Sequence, residues 1–96
     1  MEEISSKDFL QQYKKDPKMK ILDVRTEQEY KDSHIPGAIS KPLDQIDTCN
    51  LDKSPDYYVI CRSGRRSSLA CQQLQSQGYQ VKNVQGGMLD WTGPTT

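Results

Sequence analysis

The chain has little with which to cross a membrane, ligate a metal or coat a nucleic acid. No apolar run approaches the roughly 20 residues of a spanning helix. The start, Met-Glu-Glu-Ile-Ser-Ser-Lys, lacks the basic residues and apolar stretch of a secretory signal. A cytoplasmic protein with no membrane partner is therefore expected. The 13 basic residues are balanced by 13 acidic ones. With no overall field to draw polyanions, nucleic acid is not an expected partner, and any anion site must be local. His34 is the only histidine, and Cys49, Cys61 and Cys71 form no CxxC pair, so neither a zinc site nor a cofactor is expected. An odd number of cysteines cannot all pair within the chain, which makes reduced thiols the default and leaves one free to react. Apolar residues are also sparse, at 33%. The core must be assembled from short runs, and a large buried ligand cavity is not expected.

What is present fits one domain over residues 1–96, a usual length for a single core. Ser5 followed by Asp8 resembles a helix N-cap, and Phe9, Leu10 and Tyr13 recur at helical spacing up to Asp16-Pro17. Lys20 to Val24 suits a buried strand, and Thr26 with Glu29 makes a capping box that opens a second helix. His34-Ile-Pro-Gly-Ala38 is turn chemistry before a brief strand at Ala38 to Ser40, and Leu43 to Asp47 could form one or two helical turns. Tyr57 to Ile60 reads as a central strand. Arg66 to Gln77 favours helix, with Leu69, Ala70 and Leu74 as its apolar stripe and Gly78 as its cap. Tyr79 to Val84 is the last strand. Gly86-Gly87 opens a short amphipathic end carrying Met88, Leu89 and Trp91, and residues 93–96 read as a frayed, flexible tail. Strands alternating with helices predict an α/β fold, a parallel sheet with helices on both faces. Ligands of such folds sit beyond the carboxyl ends of the strands, where Cys61 falls.

Cys61-Arg62-Ser63-Gly64-Arg65-Arg66-Ser67 joins that buried strand to a helix, so several backbone amides can converge on one centre. Gly64 lets the loop curl. Three arginines and a helix N-terminus around one thiol favour its thiolate, the nucleophilic form. The plainer alternative is a buried strand-end cysteine beside surface arginines. Structural cysteines rarely sit in so electropositive a setting, so the functional reading is preferred.

The loop resembles the Cys-Arg-Ser-Gly-x-Arg-Ser active-site loop of rhodanese-domain sulfurtransferases. Asp23-Val24-Arg25 with Glu29-Tyr30, then His34-Ile35-Pro36-Gly37-Ala38, and finally Gly86-Gly87 with Trp91, are similar to that family's other signatures in the same order. The resemblance implies a small rhodanese-like fold in which Cys61 is the nucleophile and persulfide carrier. It implies that the Arg62, Ser63, Gly64, Arg65, Arg66 and Ser67 loop binds substrate, with its amides holding the outer sulfur and Arg62 and Arg65 receiving an anionic donor such as thiosulfate. Arg66 either binds substrate or braces the helix start. The acceptor would be cyanide, a thiol or a protein. The arginine-bearing loop is closer to the thiosulfate-using type than to the mercaptopyruvate type, whose loop looks like Cys-Gly-Ser-Gly-Val-Thr.

Of the remaining signature residues, Asp23 and Arg25 are expected to brace neighbouring loops, and His34 to cap or pack. Trp91 is expected in the core or at its rim, and Cys71 to point away from the site as a small apolar residue. Cys49, in a polar connection, is a weaker candidate to resolve a persulfide. Two rivals remain. One is a cysteine-dependent phosphatase of related fold, whose loop places five residues between cysteine and arginine; here four separate Cys61 from Arg66. The other is a non-enzymatic relay or regulatory module, versions of which often lack the cysteine.

Overall fold

A computed structural model describes residues 1–96. In chain order the elements are β1 (Glu2–Ser5), α1 (Ser6–Lys15), β2 (Lys20–Asp23), α2 (Glu27–Asp32), β3 (Ile39–Ser40), a 3₁₀ segment (Leu43–Thr48), β4 (Asp56–Ile60), α3 (Arg65–Ser76), β5 (Gln80–Gln85) and α4 (Gly87–Asp90). The five strands form one parallel sheet in the order β1-β5-β4-β2-β3.

The period of two along the strands splits the core into two layers. Tyr57, Val59 and Cys61 point to one face with Leu22, Val24 and Val81, where Ala70, Cys71 and Leu74 of α3 and Ile46 of the 3₁₀ segment cover them. Tyr58 and Ile60 point to the other with Ile21 and Val84, covered by Phe9, Leu10 and Tyr13 of α1, by Ile35 and by Trp91. Helices thus lie on both faces, as the alternation of elements predicts. Most of these side chains are fully buried, each worth about 1.5–3 kcal/mol of apolar transfer, and this offsets the low apolar content.

Local signals set the boundaries. The Ser5 hydroxyl accepts from the Asp8 amide, and Thr26 and Glu29 form the reciprocal capping box. One strand was not anticipated, and one expectation is corrected. β1 is a strand although Glu2-Glu3-Ile4-Ser5 has no apolar run, because an edge strand needs only the backbone ladder to β5. Leu69 is half exposed; the inward stripe of α3 is Ser67, Ala70, Cys71 and Leu74. Residues 93–96 make specific contacts in this structure: Thr96 and His34 exchange two backbone hydrogen bonds at 2.8 and 3.0 Å, and the Trp91 indole donates to Pro94 O. No helix is long and apolar enough to cross a membrane.

Candidate active site

Cys61 directly follows β4, at the carboxyl edge of the sheet, and is 1% exposed. The chain curls back at once. Gly64 takes φ +104°, and a Cβ there would lie 3.3 Å from the Gly86 amide, so any side chain would be both strained and crowded. The curl brings the Gly64 amide to 3.0 Å from Cys61 Sγ and starts α3 at Arg65. The Ser67 hydroxyl, in the first turn of that helix, lies 3.3 Å from the same sulfur.

The outside of the loop is held by the start of α4. Met88 N donates to Cys61 O and Leu89 N to Arg62 O, both at 2.9 Å. With these carbonyls occupied outside, loop amides are free to face inward. The approach is so close that a Cβ on Gly87 would sit 2.4 Å from Cys61 O and 2.6 Å from Arg62 O. This gives Gly87 of the Gly86-Gly87 signature its physical reason.

Burial pushes the Cys61 thiol up. The hydrogen bond with the Ser67 hydroxyl and those from the amides of Ser67, Gly64 and Ser63 outweigh it, and the thiol lies below its ordinary value. Sequence reasoning assigns much of this lowering to the arginines, but the hydrogen-bond donors supply most of it. Cys71, in the same core layer, has no such donors; burial first, then the charges of Glu3 and Cys61, push it up to about 12. Cys71 packs as a small buried residue in the layer that also holds Cys61. Cys49 is partly buried against that layer rather than open in a polar loop.

The three arginines separate. Arg62 and Arg65 are exposed, as is Ser63. Arg66 turns to Glu29 in a two-pronged ion pair, the bracing alternative of the two open to it. Asp23 and Arg25 are both buried and paired, with Nη2 2.7 Å from Oδ2, and Arg25 also donates to Ser33 O at 2.7 Å, tying β2 to the end of α2. His34 stacks on Tyr30 with ring centroids 3.8 Å apart. These three residues brace the scaffold and do not join Cys61. The largest concavity, about 630 Å³, is an open cleft between α2, the 3₁₀ segment and α3; Arg66 lines it and Cys61 does not.

One residue of the site was missed. Asn83 of β5, 2% exposed, accepts from the Ser67 hydroxyl at 2.5 Å and donates to Gly64 O at 3.3 Å and to Glu3 Oε2 at 3.1 Å. Its signal is an amide on the inward face of a strand, two residues from buried Val81.

The rhodanese-like domain profile matches residues 6–94. YrkF of Bacillus subtilis, provisionally named a sulfur carrier, is 43% identical over 96 residues; the match takes in 97% of this chain and 52% of YrkF, so the chain spans about half the length of that relative. The thiosulfate sulfurtransferase PspE of Escherichia coli is 35% identical over 77 residues, 76% of this chain and 74% of PspE. The crystal structure of a rhodanese-like domain protein from Staphylococcus aureus superposes with a TM-score of 0.88 at 33% identity, covering 95% of this chain and 91% of that one. The profile runs from the first helix, through the cysteine loop, to the glycine pair that clamps it, and the chain belongs to the rhodanese-like domain family.

Proposed function

We propose that this chain moves sulfane sulfur from thiosulfate or a related persulfide donor to a thiophilic acceptor through a Cys61 persulfide. The observation that carries the reading is a buried Cys61 Sγ at the loop centre, with the Gly64 amide donating to it at 3.0 Å and a thiol that lies below its ordinary value. The Cys61 thiolate attacks the outer sulfur of thiosulfate. A new S–S bond forms, the bond to the sulfonate sulfur breaks, and sulfite leaves with the bonding pair. The negative charge then rests on the outer sulfur, one atom further into the loop, where the amides of residues 62–67 receive it. Cyanide or a thiol attacks that sulfur next, and the Cys61 thiolate leaves as the regenerated nucleophile. No oxidant or metal enters the balance. Exposed Arg62 and Arg65 offer charge to the anionic donor at the loop mouth.

A relay to a protein acceptor is favoured by the likeness to YrkF. The two readings share the Cys61 persulfide and differ only in what removes it. A phosphatase reading has less support, because Arg66 is held by Glu29 and four residues separate it from Cys61. Mass spectrometry of the intact protein after exposure to thiosulfate tests the core of the proposal. One added sulfur on Cys61, discharged by cyanide or by a thiol, is expected; an unmodified Cys61 overturns it.

A further inference from the structure

Asn83 and Ser67 are both buried behind Cys61, with Ser67 wholly enclosed. The Asn83 Nδ2 meets Glu3 Oε2 and Gly64 O. A carboxylate and a carbonyl only accept, so the amide cannot be turned over, and its Oδ1 must face Ser67. An amide oxygen also only accepts. The Ser67 hydroxyl therefore gives its single proton to Asn83, at 2.5 Å, and presents lone pairs to Cys61 Sγ, 3.3 Å away. A neutral thiol satisfies those lone pairs with its own proton. A thiolate cannot, and is stabilised by the Ser67 hydroxyl, as distinct from the Ser67 amide, only if that hydroxyl rotates away from Asn83, leaving a buried Oδ1 unpaired.

We propose that Asn83 is a positioning residue that competes with the Cys61 sulfur for the Ser67 proton, favouring the neutral thiol at rest and the persulfide once charge has moved off Sγ. The persulfide half rests on the sulfur-transfer reading above; the thiol half does not. On ionisation the thiol proton leaves to solvent and the Ser67 proton turns toward Sγ. When the outer sulfur is acquired, the charge moves to it, Sγ ceases to be an anion, and the Ser67 proton returns to Asn83. No bond to hydrogen breaks at Ser67; only its torsion changes. The surrounding charges are Glu3 on β1, Arg62 and Arg65 on the loop, the Arg66–Glu29 pair and the Asp23–Arg25 pair. All are kept in the variants used as the test.

The Cys61 titration is followed by thiolate ultraviolet absorbance in a Cys49→Ser, Cys71→Ser background, with the Cys61→Ser protein subtracted. Asn83→Leu keeps the volume and removes the acceptor, which frees the Ser67 proton for sulfur. Its midpoint should fall by about one pH unit, the span of one exchanged hydrogen bond. Ser67→Ala should raise the midpoint, and adding Asn83→Leu to Ser67→Ala should change nothing further. A midpoint that rises or stays put in Asn83→Leu, or that falls equally without the Ser67 hydroxyl, overturns the proposal.

A second measurement needs no variant of Asn83. In the wild type, the NMR shift of the Asn83 side-chain carbonyl carbon should titrate with the Cys61 midpoint as Oδ1 loses its donor, and should stop titrating in Cys61→Ser. A carbonyl that does not respond to Cys61 ionisation overturns the proposal independently. If the midpoints follow the expected order but Cys61 accepts no sulfur, the transfer reading fails and the competition for the proton stands. If Cys61 accepts sulfur but the midpoints run in the reverse order, the competition fails and the transfer reading stands.

Discussion

Arg66 and Glu29 meet fork to fork, with Nη1 2.6 Å from Oε1 and Nη2 2.9 Å from Oε2. The same Glu29 carboxylate receives the Thr26 amide in the capping box of α2. One side chain thus closes the start of α2 and pins the first turn of α3, which carries Ser67 to the sulfur. Arg66 is thereby engaged by Glu29, leaving Arg62 and Arg65 as the loop's arginines outside any ion pair.

The pair gives a pH signature. The Arg66 hydrogen bond, opposed by burial and aided by the Thr26 amide, lowers Glu29 from 4.5 to about 2. A carboxyl depressed in the folded state adds stability that is full above its unfolded pKa and is lost as pH falls through the folded one. Both side chains are about a third exposed, so the worth is about 1 kcal/mol or less. Arg66→Ala should therefore lower Tm at neutral pH by no more than roughly 4–8 °C. The gap to wild type should narrow from pH 4.5 downward and close near pH 2. Thermal melts across that range check it, and a gap independent of pH would mean that Arg66 acts through packing.

Cys61→Ser should abolish transfer from thiosulfate to cyanide and leave Tm nearly unchanged, since a hydroxyl fits the site but cannot carry a second sulfur. Cys49→Ser should keep most activity. Cys71→Ser should also remain active but lose stability, because it buries a hydroxyl in an apolar layer. Assays and melts on the three proteins decide the matter. Full turnover by Cys61→Ser would remove the basis of the mechanism.

Arg62→Ala and Arg65→Ala should each weaken use of thiosulfate, by up to about tenfold for an exposed charged donor. Sulfur uptake from an uncharged persulfide should suffer less. Steady-state kinetics with the two donors separates recognition from loop shape: equal losses with both would show that these arginines shape the loop and do not receive the anion.

Gly87→Ala should be severe for a residue that touches no substrate. Its Cβ overlaps the carbonyls of Cys61 and Arg62, so α4 must move off the loop and release their two hydrogen bonds. Activity should fall by more than about tenfold and Tm by several degrees, given the usual cost of a strained glycine site. A Gly87→Ala protein with wild-type turnover would mean that the clamp does not position the loop.

The cysteine loop, both helix caps and the two-faced sheet were legible because each depends on residues close in sequence or on strict alternation. Ser5 with Asp8, and Thr26 with Glu29, announce their bonds at a spacing of three. Contacts between distant residues were not legible. Nothing in Arg66 names Glu29, 37 positions away, and nothing in Ser67 names Asn83, 16 away. β1 was hidden because an edge strand facing water needs no apolar run. Leu69 misled because α3 aims the residues beside it, Ser67 and Ala70, at the sheet.

The clamp on the loop has a consequence for how the protein is made. β5 lies between β1 and β4, and α4 follows β5 directly. As the chain leaves the ribosome, Cys61 and its loop therefore emerge before Asn83 and Gly87, and until those residues arrive the loop lacks both its inner partner and its outer wall. The loop around Cys61 is therefore closed last, when β5 enters the sheet and α4 settles its amides on the Cys61 and Arg62 carbonyls.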